Sequence, residues 1–239
     1  MRDLIFLPLN ETEELVISSD CAGGIGLKEE DIIKAPYDIV GYYAARVAFM
    51  ELMSIGAAPM AVILQNFVHD EAWNELLRGV KQVISELGAC VEITGSTESN
   101  MPLLQSAVGL ILVGKVRKRE KCMAVTPHNA KFAVIGEPLV GEAVIKHGNR
   151  IIPLSVFRGL LNASGIYEIV PVGSKGILYE LEQLLLHNRL ATKKTMCPIP
   201  LTVSSGPATS VLISYCPQQE EKIKQIAKDH FFPITFIEA

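Results

Sequence analysis

Residues 38–59, DIVGYYAARVAFMELMSIGAAP, carry charge only at Asp38, Arg46 and Glu51. The pattern predicts one long helix that opens on Asp38 as N-cap and is stopped by Gly56 and Pro59. Apolar nearly all round, such a helix has to be buried. The neighbouring segments supply the layers that bury it. LVISS (15–19) and MAVILQNFV (60–68) read as strands, EAWNELLRGVKQVISELG (71–88) as an amphipathic helix ended by Gly88, and VEIT (91–94) and SAVGLILVGKV (106–116) as further strands. Strand, helix, strand, helix, strand, strand describes an α/β (α+β) layer with helices packed on a sheet.

The charged run RKREK (117–121) is the natural boundary, giving units 1–118 and 119–239. It fits a solvated connector, and it also fits an anion-binding patch. Beyond it, FAVIG opens a second, smaller α/β unit with helical stretches near 139–148, 155–163 and 176–187. That unit closes with the strand TSVLISY, the helix QQEEKIKQIAKDH and the strand ITFIE.

A net charge of −4 over 239 residues provides no footprint for nucleic acid or for an anionic membrane surface. No run reaches the roughly 20 apolar residues needed to span a bilayer. The amino terminus lacks the apolar core and cleavage site of a signal peptide. The five cysteines, 21, 90, 122, 197 and 216, are widely spaced and form no CxxC pair. They read as reduced thiols of a cytoplasmic protein, and they argue against a zinc site.

Three small-residue segments carry acids. In VISSDCAGGIG (16–26) a strand runs into Asp20 and then into Gly23, Gly24 and Gly26. One reading is an ordinary loop with a solvated Asp20; the other is a cation on Asp20 with phosphates approaching the glycine backbone. Glu51 has Val47, Ala48, Ser54 and Ile55 as its helical neighbours, so no cation meets it along the helix. It needs an exposed rim, a remote base or a metal ion. EITGSTESN (92–100) ends a strand in a turn of small hydroxyl residues next to Glu98, which is either simply a turn or a source of metal ligands and phosphate hydrogen bonds. Three carboxylates with glycines suit a nucleotide whose phosphates are bridged by Mg. No Walker A, dinucleotide-binding or HRD/DFG kinase pattern is present.

These segments together resemble the aminoimidazole ribonucleotide synthase-like superfamily, which includes thiamine monophosphate kinase, selenophosphate synthetase, a hydrogenase maturation factor and formylglycinamidine ribonucleotide synthetase. VISSD matches its strand ending in a metal-binding Asp. IVGYYAARVAFMELMSIGAAP matches its helix of the type iG..a....sDl.amGA.P, and GSTE matches its GGDT-like turn. The resemblance covers roughly residues 15–116, with weaker similarity at VPVGSKGILYE and SSGPAT. It implies a two-domain protein that binds ATP and Mg and forms a homodimer through sheets of its first domain. Asp20 would be a metal ligand, with Glu51 where the family has Asp. The third family Asp falls on Thr97, beside Glu98.

The short amino-terminal arm and the ITGSTESN turn look most like the α-ribazole kinases, which phosphorylate a riboside hydroxyl; thiamine monophosphate kinase is the runner-up. A catalytically silent ATP-binding regulator is a third reading, because Thr97 replaces an acid. On the kinase reading, Asp20, Glu51 and Glu98 hold Mg, and Gly23, Gly24, Gly26, Gly95, Ser96 and Thr97 contact the nucleotide. Asp38 or His69 would serve as base for a small-molecule acceptor, Asp38 against its N-cap role and His69, like Asp70, against simple solvation. In the second unit, Ser174 and Lys175 of GSKG and the SSGPAT loop (204–209) are either further phosphate contacts or ordinary turns.

Overall fold

The structure, a computed structural model, describes residues 4–192 and 194–237. The last residue of the expected closing strand, Glu238, lies outside them. The chain forms two compact units that divide between Lys121 and Cys122.

In the first unit, β1 (Leu4–Pro8) and β2 (Glu13–Gly23) are followed by the two-residue strands β3 (Ile25–Gly26) and β4 (Ile33–Lys34). Then come α1 (Tyr37–Ser54), β5 (Ala58–Asn66), α2 (Trp73–Leu87), β6 (Glu92–Thr97) and β7 (Ala107–Arg117). Five strands make a mixed sheet in the order β1-β2-β7-β5-β6, with β5 and β6 parallel and the other pairs antiparallel. The period of two separates its faces. On one face Val16, Ser18, Val62, Leu64, Leu110 and Leu112 are buried, and the Ser18 hydroxyl donates to the Ala48 carbonyl of α1 over 2.9 Å. On the other face Leu15, Ile17, Ala61, Ile63, Ile111 and Val113 are only partly buried, and Ile5 and Leu7 are exposed.

Helices α1 and α2 touch backbone to backbone. A Cβ placed on Gly41 would overlap the Leu76 carbonyl oxygen, and one on Gly79 would overlap that of Asp38. Both glycines are therefore required by helix packing.

Helix α1 is the buried helix expected, but it opens two residues earlier, with Pro36 rather than Asp38 at the N-cap. Asp38 is not the cap: it stands in the first turn, where its Oδ1 accepts the Ile39 N–H at 2.9 Å and its Oδ2 lies 3.3 Å from Arg78. An acid in the first turn is favoured there by the exposed N–H groups and the helix dipole. Arg46 is fully buried, and its surroundings contain Tyr42, Tyr43 and Glu86. Tyr42 donates from its hydroxyl to Glu86 over 3.1 Å, and burial pushes the Tyr42 phenol up to about 12.

The second unit has β8 (Lys131–Ile135), α3 (Glu142–Lys146), α4 (Leu154–Leu161), β9 (Ile166–Pro171) and α5 (Gly176–His187). It continues with β10 (Lys194–Met196), β11 (Val211–Tyr215), α6 (Glu220–Ala227) and β12 (Phe231–Ile237). Its antiparallel sheet runs β10-β12-β8-β11-β9. Phe132, Val134, Val170, Leu181, Leu184 and Leu212 belong to one buried cluster under α5. Inside this unit Glu168 is buried and accepts from the Ala124 and Val125 N–H groups, the Thr126 hydroxyl and the Asn188 amide, at 2.6 to 3.2 Å.

Candidate functional site

Two segments read as strand-end turns are strand. β2 continues through Asp20, Cys21, Ala22 and Gly23, and β6 continues through Gly95, Ser96 and Thr97. The reason is close packing. A Cβ on Gly95 would overlap the Leu64 carbonyl and press on the Trp73 ring at 2.7 Å, so glycine lets β6 lie flat between β5 and α2. The turn itself comes after Thr97 and is organised by Glu98, whose Oε1 accepts the N–H groups of Asn100 and Met101 at 2.7 and 3.0 Å. These bonds hold the Glu98 carboxyl below its usual range.

Register places Asp20 three residues inside the sheet end. It is paired with Leu110, so its side chain is on the helix-covered face. Burial pushes Asp20 up to about 6, and the Cys21 N–H acts the other way. Gly23, Asn66, Thr97 and Ala107 close the same end of the sheet. Glu51 belongs to a different level. Helix α1 runs back along β2, and Glu51 lies about one turn beyond Ala48, away from the Asp20 end. Among the described residues no three His, Cys, Asp or Glu side chains are grouped as a metal site. Asp20, Glu51 and Glu98 thus do not form one cage within the chain.

Asn66, which sequence reading passed over, organises this end. It is buried, and its amide donates to the His69 carbonyl at 2.7 Å and to the Thr97 hydroxyl at 3.2 Å, while its Oδ1 accepts the Val68 N–H at 2.9 Å. The signal was available as a lone Asn ending an apolar strand. His69 is exposed, with Nδ1 2.7 Å from Glu71 Oε2, and Asp70 accepts the Ser99 hydroxyl at 2.9 Å.

The three glycines after Asp20 have different jobs. A Cβ on Gly23 would meet nothing, whereas Gly24 has φ +68° and Gly26 is packed against Ser106 and Asp31. Gly26 is therefore a packing residue, and open space for a ligand is confined to Gly23. Asp31 is buried and accepts the Ser106 N–H and hydroxyl, each at 2.7 Å, and the Lys28 N–H at 2.9 Å. Lys28 Nζ donates to the Leu103 carbonyl at 2.8 Å, and the Gln105 amide to the Glu30 carbonyl at 2.7 Å. The 24–35 loop is thereby fastened to the 98–106 loop.

Elsewhere the expected phosphate contacts are engaged in the fold. Lys175 lies 3.2 Å from the Tyr179 hydroxyl and 4.3 Å over its ring. Ser205 and Thr209 of SSGPAT are buried and 2.8 Å apart, and Thr209 accepts the Leu139 N–H at 2.9 Å. At the far end of the first sheet, Arg117 and Arg119 pair with Glu120 at 3.2 and 3.5 Å. They line a cleft of about 470 Å³ with Lys118, Glu11 and Thr12.

No family model matches the chain, and no curated protein sequence matches it significantly. Its fold does match solved structures. The backbone superimposes on thiamine monophosphate kinase from Aquifex aeolicus with a TM-score of 0.64 and 11% identity, covering 100% of this chain and 89% of that one. T. maritima PurL complexed with ATP gives a TM-score of 0.63 at 14% identity, with 98% of this chain but only 42% of PurL covered. The HypE–HypF complex gives 0.62 at 11% identity, covering 97% and 87%. The chain thus shares the fold of these proteins, a two-unit, PurM-like mixed α/β fold. No helix among the described residues is long and apolar enough to cross a membrane.

Proposed function

We propose that the protein is an ATP-dependent, Mg-requiring kinase that transfers a phosphoryl group to a riboside hydroxyl, as an α-ribazole kinase does. The observation that carries this reading is Asp20, a partly buried carboxylate three residues inside the open backbone at Gly23. A carboxylate held against desolvation fits a cation. Mg uses one or two protein carboxylates together with phosphate oxygens and water, so a closed protein cage is not required. Asp20 would hold the ion and Thr97 would face the phosphates, with its hydroxyl oriented by Asn66. When bound, Mg neutralises charge on the transferring phosphoryl group. Glu98 keeps the turn in shape, and Glu51, on a different level of α1, stands apart from the ion.

The Gly23 backbone admits the nucleotide. T. maritima PurL, which shares the fold, was solved with ATP, ADP and AMPPCP. His69 is the better candidate base, because Glu71 orients its ring at the sheet end, whereas Asp38 is engaged by Arg78. The match over most of the length of thiamine monophosphate kinase supports that enzyme's acceptor as the second reading.

Incubation with ATP, Mg and either α-ribazole or thiamine monophosphate, followed by mass spectrometry, is expected to show one added phosphoryl group on the riboside, lost in Asp20→Ala. ATP binding without any phosphorylated product would overturn the kinase reading in favour of a silent regulator.

A homodimer in the cytoplasm completes the proposal. The uncovered apolar face of the first sheet, with Ile5, Leu7, Ile17, Ile63, Ile111 and Val113, is the surface for it. Sedimentation at micromolar concentration is expected to give a dimer, and a monomer would refute it.

A further inference from the structure

In a chain of net charge −4, the cleft of about 470 Å³ at the far end of the first sheet is lined by three consecutive cations, Arg117, Lys118 and Arg119. Its lining holds one acid, Glu11. The backbone of both walls is fixed. Asn10 Oδ1 accepts the N–H groups of Thr12 and Glu13 at 2.8 and 2.9 Å, which sets the turn between β1 and β2. Lys118 ties the end of β7 to that turn, its N–H donating to the Thr12 carbonyl at 2.9 Å and its Nζ to the Asn10 carbonyl at 3.2 Å. The two guanidiniums are held far more loosely. Arg117 and Arg119 share one oxygen of Glu120, at 3.2 and 3.5 Å, and their side chains are 57% and 80% exposed. Exposed ion pairs of this kind add little stability, so a stronger acceptor can displace Glu120. Each guanidinium carries about five N–H donors in a planar fork that matches the oxygens of a phosphate, and a single carboxylate oxygen uses few of them.

We propose that this cleft is a second binding site, which takes a small diphosphate anion through Arg117 and Arg119. A singly charged anion gains little over Glu120, whereas two linked phosphate groups engage both guanidiniums at once. The cleft has the volume of a small-molecule pocket. Glu11, Glu120 and the negative chain around them disfavour a long polyanion, whose binding needs a row of uncompensated cations. The site is separate from the Asp20 end. Arg117 lies seven residues along β7 from Leu110, the partner of Asp20, or about 23 Å at the rise of a strand. The inference therefore does not rest on the kinase reading.

Calorimetry on the full chain with inorganic pyrophosphate, in Mg-free buffer at low salt, is expected to give a Kd below about 1 mM that weakens as salt is raised. Arg117→Gln combined with Arg119→Gln, its folding checked by a melting curve, should weaken binding at least about tenfold. Glu120→Gln should tighten it about two- to fivefold, because the competing carboxylate is gone. Asp20→Asn and Lys146→Gln should each leave it within about twofold. Lys146 is exposed in the second unit and controls for the loss of net charge. ADP in place of pyrophosphate separates the two sources of a diphosphate: tighter binding that the arginine variant loses marks a nucleotide site, and equal binding marks an inorganic one. Pyrophosphate binding lost in Asp20→Asn but kept in the arginine variant would overturn the proposal, by putting the anion at the other end of the sheet. An equal loss in Lys146→Gln would overturn it in favour of net charge, and a wild type that binds no pyrophosphate below about 1 mM would leave the cleft without a ligand of this class. A single-stranded RNA oligonucleotide that binds more tightly than pyrophosphate through the same arginines would also overturn it.

Discussion

Asp20→Asn is expected to make the protein more stable and inactive at once. The Asp20 carboxyl is pushed from its ordinary 3.8 to about 6 by burial. For an acid whose folded-state value is raised, the folded protein holds its proton more tightly than the unfolded chain does. Stability therefore falls as pH rises from about 3.8 to about 6, and the cost is present in full above that. Asparagine carries no such cost. At pH 7.5 without Mg the variant should gain about 2 kcal/mol, reduced from the full shift because the group is only partly buried, or roughly 8 °C in the melting of the first unit. Near pH 4 the gain should vanish. Adding Mg and ATP should raise the melting temperature of the wild type and leave the variant unmoved, because the ligand stabilises only a state that binds it. Phosphoryl transfer should drop by at least about 100-fold. A variant that is no more stable at pH 7.5 than at pH 4, relative to wild type, would show that Asp20 is not held against desolvation.

Arg46→Ala is expected to produce the largest loss of stability in the molecule. The guanidinium is fully buried on α1 beside Tyr42, Tyr43 and Glu86. Removing one charge from a buried cluster leaves the others uncompensated, at a cost of about 3–5 kcal/mol. Arg46→Met keeps the volume but also loses the charge, so the two variants separate packing from electrostatics. If the charge cluster dominates, Met recovers little in wild-type Glu86 and most of the loss in the Glu86→Leu background. Urea midpoints measure each step. A loss below about 1 kcal/mol for Arg46→Ala would mean that Glu86 and Tyr42 find water or other partners.

Long elements with a strong pattern were legible in the sequence: α1 and α2 from apolar content and period, and β5 and β7 from continuous apolar runs. The ends of β2 and β6 were not. Gly, Ser and Asp are read as turn formers because they permit turns, yet DCAG continues β2, and GST continues β6, where Gly95 has to be small against Leu64 and Trp73. β9 went unread because IYEIVP ends in proline, which an edge strand tolerates. In the candidate site, Asp20 could be picked from a strand running into glycines. Asn66 was also open to it, as a lone Asn ending an apolar strand, whereas Asp31 and Ser106 were not, since their roles arise from a partner 75 residues away in the chain. Glu51 and Glu98 show the converse. An acid in a suggestive motif was readable, but its level on a helix or its engagement by local N–H groups was not.

The bond between Asp31 and Ser106 spans 75 residues. Loop closure of that length is an entropic cost met once, and only after both ends exist. On a ribosome, the glycine turn, the buried helix and four of the sheet's five strands are all synthesised before the residue that fastens the turn emerges. The part of the molecule proposed to meet its ligands is therefore among the last to acquire its shape, and until Ser106 arrives its apolar loop residues travel with a turn that nothing yet holds.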